Sequence, residues 1–166
     1  IAGLFLFSSV ESLTKTVTDN ETVKSIGLTL WAAMAATFFS AFFAIPLAYI
    51  LARKRFYGRS LITGIINLPV VIPHTAAGIA LLGIVSANSA SGSLLKKIGF
   101  DFVGNPEGIV IAMAFVSVPF LISSARDAFE NVPVKLEKAA LTLGASPTRM
   151  FFTVSLPLAW KGILSG

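Results

Sequence analysis

The residues of this sequence that could contact a small solute lie close together, in an apolar segment that two prolines interrupt. Asn67, His74 and Thr75 can donate hydrogen bonds, and Pro69 and Pro73 stand among them. Each proline removes a backbone donor and disturbs the preceding turn. Irregular backbone at membrane depth is tolerated where it lines a water-filled cavity or is buried in protein. We therefore expect these five residues to line or gate a pathway.

A structural role is the alternative for His74, the single histidine of the chain. Its ring could satisfy carbonyl groups that Pro73 leaves without a partner, or it could lie at the lipid headgroup boundary. The sequence leaves the solute-contacting role and the structural role both open.

Enzymatic chemistry is poorly served by the residues available. The chain has no cysteine, and its long apolar segments contain one histidine and neither Asp nor Glu. A metal centre or an activated nucleophile therefore lacks ligands or a base. No Gly-rich loop ending in Gly-Lys-Ser/Thr is present, so we expect this chain not to bind ATP itself. We also predict no cofactor and no metal site. An ion-coupled secondary transporter usually needs charged relay residues within the membrane, and it remains an alternative only if segments outside this sequence supply them.

The elements that must position these residues are membrane helices. Of the 166 residues, 55% are hydrophobic and only 13% are charged. Residues 28–51 carry no charge and, at about 1.5 Å per residue, would extend about 36 Å, which exceeds a bilayer core of about 30 Å. Residues 61–87 predict a broken or kinked span, and residues 108–125 a short one with a kink at Pro119. Residues 1–10 and 153–166 read as partial helices. We therefore predict an all-α, polytopic transmembrane helical fold, truncated at both ends.

The distribution of charge predicts how these spans are oriented. Residues 53–59 and 126–161 together carry nine basic and three acidic residues, whereas residues 11–24 and 96–107 carry four basic and five acidic ones. Short cytoplasmic loops are enriched in Lys and Arg. The sequence therefore predicts that loops 52–60 and 126–152 face the cytoplasm and that loops 11–24 and 88–107 lie outside. Membrane lipid, and not nucleic acid, is the expected partner of the basic cluster.

Between the third span and the last apolar run, the loop 126–152 is predicted to fold as helix, turn and helix. Leu136, Ala139, Ala140 and Leu143 recur at three- and four-residue steps and share one face. Gly144 is typical of a left-handed helix end, and Ser146 followed by Pro147 is typical of a helix start. One interpretation is an amphipathic connector that lies in the lipid interface.

The loop also contains a spaced set of residues that resembles the EAA signature of ABC importer permeases. Two alanines precede a glycine by five and four residues, and nine further residues lead to an aliphatic residue, one variable position and Leu-Pro. The matching residues are Ala139, Ala140, Gly144, Val154, Leu156 and Pro157. Where the signature has Glu, this chain has Lys138, with Glu137 one position earlier.

This resemblance implies a permease whose cytoplasmic loop docks into a separate ABC ATPase subunit. It also implies an extracytoplasmic substrate-binding protein and a second permease copy, so that a homodimer is expected. The residues that it assigns to ATPase docking are Glu137, Lys138, Ala139, Ala140, Gly144, Ala145, Ser146 and Pro147.

The broken segment, residues 67–82, is in turn similar to the corresponding part of the molybdate, tungstate and sulfate importer permeases, and closest to the archaeal molybdate/tungstate type. The similarity implies an oxyanion substrate, to which His74 and Thr75 could donate hydrogen bonds. It does not choose among molybdate, tungstate and sulfate, and another small solute such as phosphate remains an alternative.

Overall fold

The computed structural model describes residues 19–86, 88–97, 99 and 101–165, and of His74 only its backbone position. Every regular element within these ranges is a helix, which confirms the predicted all-α fold. In chain order the helices are α1 (Asn20–Arg53), α2 (Arg59–Val71), α3 (His74–Val85), α4 (Ala90–Lys97), α5 (Pro106–Glu130), α6 (Val134–Thr142), α7 (Pro147–Met150), a π-helix (Phe151–Ser155) and α8 (Leu156–Ile163). The predicted partial helix 1–10 and most of loop 11–24 lie outside the described residues.

Two of these helices are long and apolar enough to cross a membrane. Helix α1 has 34 residues and contains the predicted span 28–51, and α5 has 25 residues and contains the predicted span 108–125. At 1.5 Å per residue they extend about 51 and about 38 Å. Both exceed the apolar segments from which they were predicted, because their polar ends continue as helix beyond the hydrocarbon thickness.

The predicted broken span is two helices that meet at a sharp bend. Helices α2 and α3 are bent by 115° relative to each other. Pro69 lies inside α2, whereas Ile72 and Pro73 have extended backbone and form the break itself. One proline is therefore accommodated within a helix, and only the second separates the two halves.

Helix α1 packs against α5 through a stripe of small side chains. The buried stripe repeats every fourth residue and consists of Ala32, Ala36, Ser40, Ala44 and Ala48. Small residues at this spacing let two helices approach closely. The exposed side of α1 carries Phe38, Phe39, Phe42 and Phe43. Within the described chain these rings cover no core, an arrangement suited to lipid contact.

The last helix, α8, returns along α5 and completes the core. A Cβ atom built on Gly162 would lie 2.7 Å from the Ala128 Cβ, so only glycine permits the observed approach. Ala159 and Ile163 are buried in the same cluster as Phe129. This packing fixes the chain that follows α5 against the spans, and it holds the intervening loop at one end of the helices.

Candidate functional site

The loop between α5 and α8 folds as a helix, a glycine turn and a second helix. Helix α6 ends in a Schellman arrangement: Ala145 N donates to Ala140 O and Gly144 N donates to Leu141 O, each at 3.0 Å. Gly144 has a φ of +87°, which L residues with a side chain rarely adopt. Ser146 caps the next helix, since its Oγ accepts a hydrogen bond from Arg149 N at 3.2 Å. The structure thus has the predicted turn and helix start.

Glu137 lies on the inner side of α6, where only 5% of its surface is exposed. Its carboxylate accepts hydrogen bonds from Arg53, with Nε at 3.1 and 3.0 Å from the two oxygens and Nη2 at 2.9 Å from Oε1. The same Nη2 donates to Val132 O at 2.8 Å. Because Arg53 is the last residue of α1, this ion pair ties the loop to the end of the first membrane helix.

Ser155 completes the anchor from the other side of the loop. Its Oγ donates to Glu137 Oε1 at 2.7 Å and lies 3.2 Å from the Met150 Sδ. The single hydroxyl proton belongs to the carboxylate, because an ionised acceptor forms the stronger hydrogen bond. The π-helix Phe151–Ser155 brings Met150 and Ser155, five residues apart, beside each other. Periodicity does not predict this π-helix, because each helical turn in it holds an additional residue.

Aromatic rings pack beneath the anchor. The Tyr49 ring makes edge-to-face contacts with Phe129 and Phe151, at centroid separations of 5.2 and 4.9 Å. These residues come from α1, α5 and the π-helix. The rings therefore pack α1, α5 and the π-helix together, while the anchor joins α1 and the π-helix to α6.

The outer side of the loop presents the remaining predicted docking residues. Lys138, Ala139, Gly144, Ser146 and Pro147 are exposed, and Ala140 and Ala145 are half-buried. Leu136 is exposed as well, and Leu143 is 88% exposed. The predicted apolar face thus points away from the described chain. Glu137, which was predicted with these residues, does not share their surface and bonds to the interior.

The predicted pathway residues lie on both sides of the break between α2 and α3. Pro69 is buried, Asn67 and Thr75 are exposed on the two sides of the break, and the side chain of His74 lies outside the described residues. Asn67 instead borders a cavity of about 60 Å³ between α1, α2 and α5, together with Ser123 and Arg126. Sequence reasoning missed both of these neighbours in the cavity, which are more than 50 positions away along the chain.

Charged side chains at the loop end form a second network. Arg126 Nε donates to Glu130 Oε1 at 2.8 Å, and Arg59 Nη2 lies 3.4 Å from the same oxygen. With the Arg53 to Glu137 pair, these contacts place both basic segments, 53–59 and 126–149, at the same end of the helices. Across the described residues, no group of three or more potential metal ligands occurs.

The chain is similar to known transport proteins. Residues 44–166 match the family described as binding-protein-dependent transport system inner membrane component. The molybdate/tungstate transport system permease protein WtpB of Pyrococcus abyssi is 44% identical over 154 residues, which are 93% of this chain and 57% of that protein. The molybdenum transport system permease protein ModB of Haemophilus influenzae is 42% identical over 87% of this chain and 63% of its own length.

A more distant relative carries a different anion in its name. The sulfate transport system permease protein CysT of Salmonella typhimurium is 34% identical over 90% of this chain and 54% of its own length. The chain therefore spans less than two thirds of each of these relatives. The fold is also similar to a solved chain of a bacterial ABC transporter involved in the import of the acidic polysaccharide alginate. The TM-score is 0.75 at 18% identity, over 96% of this chain and 59% of that chain.

Proposed function

This chain belongs to the family of binding-protein-dependent transport system inner membrane components, and from that membership we propose that it is the transmembrane permease subunit of an ABC importer for an oxyanion. Such a subunit supplies a pathway and a docking loop, while a separate ATPase subunit hydrolyses ATP. An extracytoplasmic binding protein delivers the anion, and a second copy of the permease completes the pathway.

One structural observation carries the proposal. The inner side of the loop from α6 to α7 is bonded to the helices, whereas its outer side is exposed. Glu137 bonds to Arg53 and Ser155 on the inner side, while Ala139 and Leu143 are exposed on the outer side. An exposed apolar surface on a rigidly held element is typical of a protein interface. A connector that lay passively in the lipid interface would not need a buried ion pair to set its orientation.

We infer the orientation of the chain in the membrane from the position of its basic segments. Residues 53–59 and 126–149 lie at one end, and this end carries the basic excess, so we place it at the cytoplasmic surface. The outer face of the loop is then directed toward a cytoplasmic ATPase. The protein resides in the cytoplasmic membrane as a multi-pass subunit.

The anchor supplies a route for mechanical coupling. A displacement of α6 by the ATPase pulls on Glu137, and the bonded Arg53 transfers that displacement to the end of α1. Ser155 transfers it at the same time to the start of α8. Because α1 and α5 pack tightly through small side chains, the spans move as a unit and alter access to the pathway.

The substrate is proposed from the relatives. Two of them are named for molybdate with tungstate or for molybdenum, and one for sulfate. Molybdate, tungstate and sulfate are tetrahedral dianions, so one pathway chemistry serves all three. ATP-dependent uptake of each anion, and of phosphate as the alternative, by vesicles that contain the intact complex identifies the substrate.

Gly144 provides the direct test of the docking assignment. No atom lies within 4 Å of a Cβ built on Gly144, so a substitution acts through the backbone angle and not through a clash. Gly144→Val should abolish co-purification of the ATPase, because a β-branched residue resists a positive φ. Gly144→Asn is the matched control, since Asn tolerates this conformation, and it should retain association. ATPase association that survives Gly144→Val would refute the docking assignment.

A further inference from the structure

A polar cavity outside the docking loop has no role in the anchor. It lies between α1, α2 and α5, near the end that carries the basic loops, and it has a volume of about 60 Å³. Its floor is apolar and includes Leu51 and Ile122, whereas Asn67, Ser123 and Arg126 contribute polar groups. Thr63 also borders the cavity, but its hydroxyl donates to Arg59 O of its own helix at 2.9 Å.

Two of these polar side chains are exposed inside apolar segments. Asn67 lies eight residues beyond the start of α2, about 12 Å along the helix axis. The Asn67 amide and the Ser123 hydroxyl are exposed and make no side-chain hydrogen bond to the described part of the chain. A polar group that faces hydrocarbon without a partner costs several kcal/mol by the usual estimate, roughly 2–7. This surface must therefore border water, a solute or protein.

The charge beside the cavity favours an anion. Arg126 and Arg59 share one carboxylate, Glu130, so the three residues carry a net charge of +1. Arg126 engages Glu130 through Nε, and its terminal guanidinium nitrogens have no partner among the described residues. Arg126 is three residues after Ser123, so both side chains lie on the same face of α5.

We propose that Asn67, Ser123 and Arg126 form a contact site for the transported oxyanion, on the half of the pathway nearer the docking loop. An amide N–H, a hydroxyl and a guanidinium all donate hydrogen bonds, and a tetrahedral oxyanion accepts them. The proposal rests on the proposed importer function. It assigns to this chain the groups that contact the anion after its release from the binding protein. Glu130, which pairs with both Arg59 and Arg126, keeps the site only weakly positive, so the anion can leave.

The test uses full-length permease, reconstituted in proteoliposomes with its ATPase and binding protein, and molybdate as the probe. Arg126→Gln should reduce ATP-dependent molybdate uptake by about tenfold or more, as expected for the loss of one charge-assisted hydrogen bond. Asn67→Ala and Ser123→Ala should each reduce uptake by about threefold to tenfold. Arg126→Lys, which keeps the charge, should recover part of the lost uptake. Lys54→Gln is the matched control, because Lys54 is an exposed basic residue at the same end and is not among the residues that line this cavity.

Complex assembly must be measured in the same preparations. Co-purification of the ATPase and the mass of the permease dimer should be unchanged in each variant. Normal uptake by Arg126→Gln and Asn67→Ala would overturn the proposal. The proposal would also be overturned if uptake were lost only in variants that no longer form the dimer, since these residues would then belong to an interface between copies. Failure of the parent complex to take up molybdate, tungstate, sulfate or phosphate with ATP would instead refute the importer function, and the inference with it.

Discussion

Substitution of Glu137 by alanine is the sharpest test of how the loop is held. The side chains of Arg53 and Glu137 are 13% and 6% exposed, so solvent screens their interaction little. Removal of the carboxylate leaves the Arg53 guanidinium buried with one remaining acceptor, Val132 O, and leaves Ser155 with only the weaker Met150 Sδ acceptor. Breaking a buried ion pair from one side typically costs about 3–5 kcal/mol. We expect a loss of that size for Glu137→Ala.

The loss can be measured at two levels in full-length protein purified in detergent. Denaturant titration followed by tryptophan fluorescence reports global stability, and hydrogen exchange of the α6 amides reports local opening of the loop. At about 1.4 kcal/mol per tenfold, protection of α6 should fall by about 100-fold or more. Lys138→Ala is the matched control, because Lys138 is the exposed neighbour in the same helix, and its cost should stay within about 0.5 kcal/mol.

A double-mutant cycle separates the ion pair from general packing. Arg53→Met combined with Glu137→Leu replaces both charges by apolar groups, and such replacements of buried pairs are often neutral or stabilising. The double variant should therefore be considerably more stable than the sum of the single variants predicts. If Glu137→Ala costs less than about 1 kcal/mol at both levels, or if the cycle is additive, the anchor does not hold the loop.

Three further substitutions test neighbouring features by the same denaturant titration. Ser155→Ala should destabilise by about 1.5–3 kcal/mol, because it removes a hydrogen bond to a charged group; a change below about 0.5 kcal/mol would contradict the assigned donor. Gly162→Ala should cost about 1–3 kcal/mol through overlap with Ala128, whereas alanine at exposed Gly64, where no atom lies within 4 Å, should be tolerated; equal effects would contradict the close approach of α8 to α5. Glu130→Gln should change stability by no more than about 1 kcal/mol, because the pairs with Arg59 and Arg126 are partly exposed, and a larger loss would mean that this network is more buried than the structure indicates.

Much of the loop could be predicted from the sequence because its signals are local. Gly144 needs a positive φ, and Ser146 with Pro147 starts a helix, whatever the rest of the chain does. The apolar spacing of α6 likewise predicts a face. The role of Glu137 could not be predicted this way, since its partner Arg53 is 84 positions earlier.

The pathway residues also combine a local feature that the sequence predicts with contacts that it does not predict. The double proline predicts a break between Asn67 and Thr75, and the structure has a 115° bend there. Which of the two prolines forms the break, and which polar residues lie beside Asn67, depends on how α2 packs on α5. Ser123 and Arg126 carry no sequence signal that links them to Asn67.

The sequence by itself determined that the protein spans a membrane, that it is helical and which family it belongs to. It also determined that the loop folds as a helix, a glycine turn and a second helix, because hydropathy, spacing and turn chemistry act over a few residues. Only the tertiary structure decided that Glu137 faces inward to Arg53 and Ser155 while the alanine face points out. A buried carboxylate needs hydrogen-bond donors, and helix packing decides which donors lie close to it. The positions of Arg53 and Ser155 along the chain do not predict that they contact Glu137.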